Sequence, residues 1–81
     1  MTKDEIIKEL TYICRDVFDL PTLELTRDMS ANDVKEWDSA NNITLIVAAE
    51  AKFGVKFRTA EIEELKCVGD FVDLIAAKKG L

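Results

Sequence analysis

The best delimited helical pattern in the chain lies between Asp38 and Gly54, where apolar residues recur at helical spacing rather than in alternation. Asp38 is a good N-cap because its carboxylate accepts hydrogen bonds from the free N–H groups of a first turn. Gly54 suits the left-handed residue that follows a last turn. The pattern therefore predicts a helix with a defined start and a defined end.

This helix has two apolar arcs. One arc has the spacing of a core-facing stripe and contains Leu45, Ile46, Ala49 and Phe53. The neighbouring arc contains Ala40, Ile43 and Val47. A surface helix in a small domain usually needs only one apolar stripe. The second arc therefore either binds a partner protein or is covered by another helix of the same chain, and the pattern leaves both open.

A first amphipathic helix is predicted over roughly residues 3–18. Thr2 and Glu5 have the spacing of a capping box at its start, and Leu20-Pro21 ends it because proline disfavours helix at the residue before it. Residues 19–37 form a long connection, and such loops are usually functional or held by their own apolar anchors. The candidate anchors are Leu23, Leu25, Met29 and Val34.

Two helices follow the central one. Ala60–Leu65 forms a short helix that we expect Thr59 to cap, and roughly residues 68–78 form a last amphipathic helix. Cys67 is a poor cap, so we expect the start of this last helix to fray. The sequence predicts an all-α fold: a four-helix bundle of three longer helices and one short helix, with a long loop between helices 1 and 2.

Composition narrows the function. The 81 residues correspond to one domain, and the net charge of −5, from 16 acids and 11 bases, argues against nucleic acid and anionic membranes and for basic partner surfaces. Histidine is absent, which excludes Ser–His catalysis and imidazole metal ligands.

Cys14 and Cys67 have no metal-site spacing, so we expect no metal and two reduced thiols. With no export signal and no run of ~18 apolar residues, we expect a cytoplasmic protein without a membrane span.

Ser39 is the candidate for chemistry. It lies in the first turn of the central helix, where the helix dipole and free N–H groups favour an attached anionic group. Spacing alone favours the simpler interpretation, that Ser39 is only a small residue in a first turn.

The segment around Ser39 resembles the acyl carrier protein family. The resemblance depends on Asp38-Ser39-Ala40, followed by Ile43, Leu45-Ile46, Glu50 and Phe53-Gly54, and it extends over nearly the whole sequence. In that family an Asp-Ser-Leu motif opens the second helix, and its serine carries 4′-phosphopantetheine through a phosphodiester. The resemblance implies that Ser39 is the attachment site and that Asp38 helps to present it to a phosphopantetheinyl transferase.

The implied function is that of a carrier and not an enzyme. Residues 1–81 would form a single acyl-carrier-like domain, a monomer, that holds an acyl or aminoacyl group as a thioester. It would receive this group from a loading enzyme and deliver it to downstream acyl-using enzymes. The alternative is a small helical adaptor that is never modified and binds a protein through the apolar face of helix 2.

By the same resemblance, the partner-binding residues are Trp37, Ala40, Ile43, Val47, Glu50 and Ile62. Trp37 either plugs the loop against the bundle or stays partly exposed as part of this surface. Ala40 replaces the usual leucine, and acids frequent in the family are replaced by Asn41, Thr44 and Ala51. We therefore expect poor exchange with a generic fatty-acid synthase and dedicated partners of a specialised pathway. The sequence identifies neither the cargo nor whether it is sheltered between the helices or stays in solvent.

Overall fold

The four predicted helices are all present in a computed structural model that describes residues 2–80. They are α1 (Lys3–Phe18), α2 (Ser39–Phe53), α3 (Thr59–Glu63) and α4 (Val68–Lys78), with a short 3₁₀ helix at Ala31–Asp33. Residues 2–80 include no β-strand. The predicted fold class, an all-α bundle of three longer helices and one short helix, is confirmed.

Both ends of α1 have a local cause. At its start, Glu5 donates its N–H to the hydroxyl of Thr2, and the Glu5 carboxylate accepts the N–H of Thr2, at 3.2 and 2.9 Å. This is the predicted capping box. The helix ends because Asp19 adopts the left-handed conformation, with φ 56°, and returns its N–H to carbonyls of the last turn. Aspartate is one of the few non-glycine residues that visit this region readily. The helix therefore ends at Asp19, and not because of Pro21 as the sequence predicted.

The core lies where α1 contacts both α2 and α4. The stripe of α2 that was predicted to face inward is buried along its whole length, as the exposures of Leu45, Ile46, Ala49 and Phe53 confirm. Ala49 and Ala76 are also fully buried, which lets the helices approach closely. Ala51 and Ala77, in contrast, are exposed and contribute nothing to the interior.

The long loop is held by the anchors that the sequence predicted. Val34 is buried, and the other three anchors, Leu23, Leu25 and Met29, are half-buried against the core. The side chain of Arg15 adds a hydrogen bond from Nε to the carbonyl of Leu23 at 2.7 Å. The loop therefore has a defined path over the bundle, which brings its end to the start of α2.

The prediction for α3 was wrong at its first residues. Thr59 is the first helical residue and not the cap, and Arg58 occupies the N-cap position. The N–H of Arg58 donates to the carboxylate of Glu61 at 2.8 Å, so a side chain three residues on satisfies the N–H of the N-cap residue, while the N-cap side chain itself makes no capping bond. The helix ends at Glu63, before the predicted Leu65.

The start of α4 is held, contrary to the expectation that it frays. Cys67 indeed makes no side-chain capping bond. The first two N–H groups of the helix, from Val68 and Gly69, instead donate to the loop carbonyls of Met29 and Arg27 at 2.7 and 2.8 Å. Sequence reasoning considered only the neighbouring residue, whereas the partners come from a distant segment.

Candidate functional site: the start of helix 2

The turn that begins α2 is fixed by its N-cap residue. Asp38 has extended backbone angles, and its Oδ1 accepts the N–H of Asn41 at 2.8 Å, as the sequence predicted. The carbonyl of Asp38 accepts the N–H of Asn42, also at 2.8 Å. Both bonds close the first turn around Ser39: the second is the first regular bond of the helix, and the first satisfies one of the N–H groups that a helix start leaves free.

Ser39 is the first residue of α2 and is exposed. Its hydroxyl therefore lies in solvent at the positive end of a helix of 15 residues. An anionic group joined to this oxygen would be stabilised by the helix dipole and by N–H groups of the first turn. The chain contains no histidine, so no Ser–His pair activates this hydroxyl.

Trp37 packs on the bundle, as the simpler of its two interpretations expected. Its ring is half-buried and lies 5.5 Å from the ring of Phe18 at the end of α1. Its indole Nε1 donates to Oδ1 of Asn42 at 2.9 Å. A contribution of its remaining exposed edge to partner binding stays a prediction.

The second apolar arc of α2 is not covered by another helix of the chain. Ile43 is 66% exposed and Val47 is 59% exposed, and Ala40 is exposed as well. The alternative that this arc packs inside the bundle is therefore wrong. These three residues, called the apolar patch below, lie on the same helix as Ser39.

Glu50 has a structural contact that the sequence did not reveal. Its carboxylate Oε2 accepts the N–H of Phe57 at 2.8 Å, which ties the end of α2 to the segment before α3. The side chain is half-buried. Residues 39–49 contain no charged side chain, so along α2 the charges that flank the apolar patch are those of Asp38 before it and Glu50 after it.

A cleft of about 280 Å³ opens beside Ser39. One wall contains Trp37, Asp38 and Ser39, and the opposite wall comes from α3 and the residues before α4: Ile62, Leu65, Lys66 and Cys67. The structure thus brings Ile62, a predicted partner residue, to the same cleft as Ser39. Sequence reasoning missed the other three residues of that wall, and no local pattern marks them because their position depends on how the helices pack.

The two cysteines differ in environment. Cys14 is buried in the core, and this burial raises the pKa of its thiol to about 12. It therefore remains a protonated, unreactive apolar residue. Cys67 is only partly buried at the edge of the cleft, and both cysteines are free.

Among residues 2–80, no three Cys, Asp or Glu side chains converge in the way that a metal site requires. Within the same residues, every helix is too short or too polar to cross a bilayer.

Comparison with known proteins decides the family. The chain is 40% identical over 76 residues to an acyl carrier protein from Acidothermus cellulolyticus, covering 94% of this chain and 90% of that protein. It is 39% identical over 74 residues to an acyl carrier protein from Myxococcus xanthus, covering 91% and 94%. The chain belongs to the acyl carrier protein family. No family model matches it.

A solved structure agrees. The solution NMR structure of a holo acyl carrier protein from Geobacter metallireducens superimposes with a TM-score of 0.86 at 43% identity, over 91% of this chain and 85% of that one. Acyl carrier proteins are carriers and not enzymes, so the expectation that this chain has no catalytic activity of its own is confirmed. The family's cofactor is 4′-phosphopantetheine, carried on a serine, and a carrier of this kind works with partner enzymes.

Proposed function

We propose that Ser39 carries 4′-phosphopantetheine through a phosphodiester, and that the thiol of this arm holds an acyl or aminoacyl group as a thioester. A phosphopantetheinyl transferase would attach the arm, and a loading enzyme would supply the group. The carrier would then deliver it to downstream acyl-using enzymes. Tethering raises the effective concentration of the group at each partner. The cytoplasmic location expected from the sequence stays a prediction.

One observation carries the proposal: an exposed serine hydroxyl begins α2 beside a capping aspartate, in a chain of this family. The position meets both physical requirements of an attachment site. The hydroxyl is accessible to a second protein, and the phosphodiester that results lies where a helix start favours negative charge. Family membership favours this carrier over the unmodified adaptor.

The chain provides its own control for a test. It contains two serines, Ser30 and Ser39, and each lies next to the start of a helical segment, Ser30 as the N-cap of the 3₁₀ helix. The unmodified protein is incubated with a promiscuous phosphopantetheinyl transferase and coenzyme A, and intact mass is measured. Wild type and Ser30→Ala should each gain the mass of one phosphopantetheine, and Ser39→Ala should gain none. A gain that persists in Ser39→Ala, or no gain in wild type, contradicts the proposal.

For partner recognition, we propose that the apolar patch and Ile62 contact partner enzymes, with Trp37 and Glu50 at the margin. The exposure of the patch supports this, because a contiguous apolar surface on a small protein is typical of a binding site. Replacement of Val47 by aspartate should weaken loading by a cognate partner. Replacement of exposed Lys56, outside the patch, serves as the control and should leave loading unchanged.

The uncharged start of α2 supports dedicated partners in a specialised pathway. Acids around a patch mainly raise the association rate with a basic partner surface, and residues 39–49 provide none. We expect slow loading by the acyltransferase of a generic fatty-acid synthase. The variant Thr44→Glu/Ala51→Glu, at two exposed positions, should load faster, and the gain should shrink in high salt. Fast loading of wild type would contradict the specialised assignment.

A further inference from the structure

Two side chains on either side of Ser39 bond to each other. Trp37 precedes the serine and Asn42 follows it, and the indole Nε1–H donates to the amide Oδ1 at 2.9 Å. We propose that this pair positions Ser39 for attachment of phosphopantetheine, an inference that rests on the proposed function of Ser39. The pair spans the junction from loop to helix and leaves the serine itself exposed.

The bond also connects the junction to the rest of the bundle. The Trp37 ring lies 5.5 Å from that of Phe18, with the planes tilted by 39°. The backbone N–H of Trp37 donates to the carbonyl of Val34 at 3.0 Å, and Val34 is buried in the core. The first turn of α2 is thus held, through Asn42 and Trp37, against α1 and the anchored loop.

A second link runs in parallel on the next residue. The side-chain Nδ2 of Asn41 donates to the carbonyl of Glu36 at 2.8 Å, and its backbone N–H bonds Asp38. With this link intact, loss of the Trp37–Asn42 bond should loosen the junction without unfolding the helix. The serine would then spend less of its time in the conformation that a transferase binds, which lowers the apparent rate by that fraction.

The test measures initial rates of modification of the unmodified protein by a purified phosphopantetheinyl transferase with coenzyme A. Trp37→Phe keeps an aromatic ring and loses the donor, and Asn42→Ala loses the acceptor. Loss of one neutral hydrogen bond predicts a fall in kcat/KM of up to about five-fold for either variant. The double variant should lose no more than the single variants, because both changes remove the same interaction.

Asn42→Asp is the rescue, since a carboxylate oxygen still accepts the indole N–H. It should be modified at close to the wild-type rate. In the Trp37→Phe background the same aspartate should give no gain, because the donor is gone. If it speeds both backgrounds equally, the added charge and not the bond controls the rate, and the inference is overturned. If Asn42→Ala fails to fold, the comparison is made between Trp37→Phe and the double variant Trp37→Phe/Asn42→Asp.

Lys79→Met controls for stability alone. It removes the bond from Nζ to the carbonyl of Phe53, at the end of α2 opposite Ser39, so it should lower the melting temperature and leave kcat/KM unchanged. Single variants modified at the wild-type rate, losses that multiply in the double variant, or an equal loss in Lys79→Met each overturn the inference. These outcomes differ from failure of the proposed function, in which wild type itself gains no mass.

Discussion

The starts of α2 and α4 share one physical problem and solve it differently. Each helix leaves its first N–H groups without intrahelical partners. At α2 the side chain of Asp38 accepts the N–H of Asn41, so a neighbouring residue closes the turn. At α4 the first N–H groups donate to the carbonyls of Met29 and Arg27, which belong to the loop between α1 and α2.

The difference decides which helix start is open to chemistry. A side-chain cap leaves the rest of the terminus uncovered, and Ser39 in the first turn of α2 is exposed. Backbone from a distant loop covers the terminus, and Val68 and Gly69 at the start of α4 are buried. The start of α2 is thus exposed to solvent, whereas the start of α4 is part of the packing of the bundle.

The largest loss of stability is expected from adding a side chain at Gly69, in the covered start of α4. A Cβ at Gly69 would lie 3.0 Å from the carbonyl oxygen of Arg27 and 3.4 Å from its Cβ. Gly69→Val should displace the loop, break the bond from the N–H of residue 69, and lower the free energy of unfolding by about 2 kcal/mol. Urea denaturation measures the loss.

Ala40→Val is the matched control, because residue 40 has the same position in α2 as residue 69 in α4, second from the start. Ala40 is exposed, so only the lower helix propensity of valine counts, at about 0.5 kcal/mol. Equal losses in the two variants would mean that the two termini are not covered differently.

A smaller loss is expected at the open terminus. Asp38→Ala removes the acceptor for the N–H of Asn41 and should cost about 1 kcal/mol in unfolding free energy. Asp38→Asn keeps an acceptor oxygen and should retain most of the stability. If both variants lose equally, the negative charge near the helix start matters and not the capping bond.

This contrast also explains how far the sequence could predict the molecule. The caps at Thr2 and Asp38, the left-handed Gly54 and the core stripe of α2 all follow from residues within a few positions of one another. Local hydrogen bonds and helical periodicity determine them, so the pattern predicted them correctly. The same holds for the position of Ser39 at the start of α2.

Long-range features escaped prediction for the same reason. The carbonyls that hold α4, the Glu50 contact to Phe57 and the wall of the cleft beside Ser39 join segments that the packing brings together. The wall of the cleft that faces Ser39 could therefore be predicted only in part, at Ile62. The Arg58 cap of α3 was local and was missed, because Glu61 is a capping-box residue that serves any N-cap backbone, including arginine.

A gain of stability should follow from giving α4 a side-chain cap like that of α2. Cys67 occupies the N-cap position with extended backbone angles, and it makes no capping bond. In Cys67→Ser, a hydroxyl can accept the N–H of residue 70, which should add about 0.5 kcal/mol to the unfolding free energy. Cys67→Ala controls for loss of the thiol and should change little. A serine variant no more stable than the alanine variant would show that loop carbonyls already satisfy this terminus.

An ion pair also distinguishes the two termini. Arg27, whose carbonyl accepts the N–H of Gly69, donates from its guanidinium Nη2 to the Asp73 carboxylate at 3.0 Å. Lys3 Nζ lies 3.1 Å from the same carboxylate. These bonds, first from Arg27 and then from Lys3, hold the pKa of Asp73 below its ordinary value. Arg27, which covers the start of α4, is therefore held by the titratable carboxylate of Asp73, and substitution of Asp73 removes that carboxylate.

The smallest loss of stability is expected from removing the carboxylate of Asp73. Because its pKa is lowered on folding, its contribution is fully present above the ordinary aspartate pKa of about 4 and is lost as the pH falls through the lowered value. Asp73→Asn should thus cost a little stability at pH 7 and almost none at acidic pH, in paired urea titrations. The pair is solvent-exposed, so 0.5 M salt should shrink the difference at pH 7. A difference that persists at acidic pH would mean that Asp73 supports the loop through packing rather than charge.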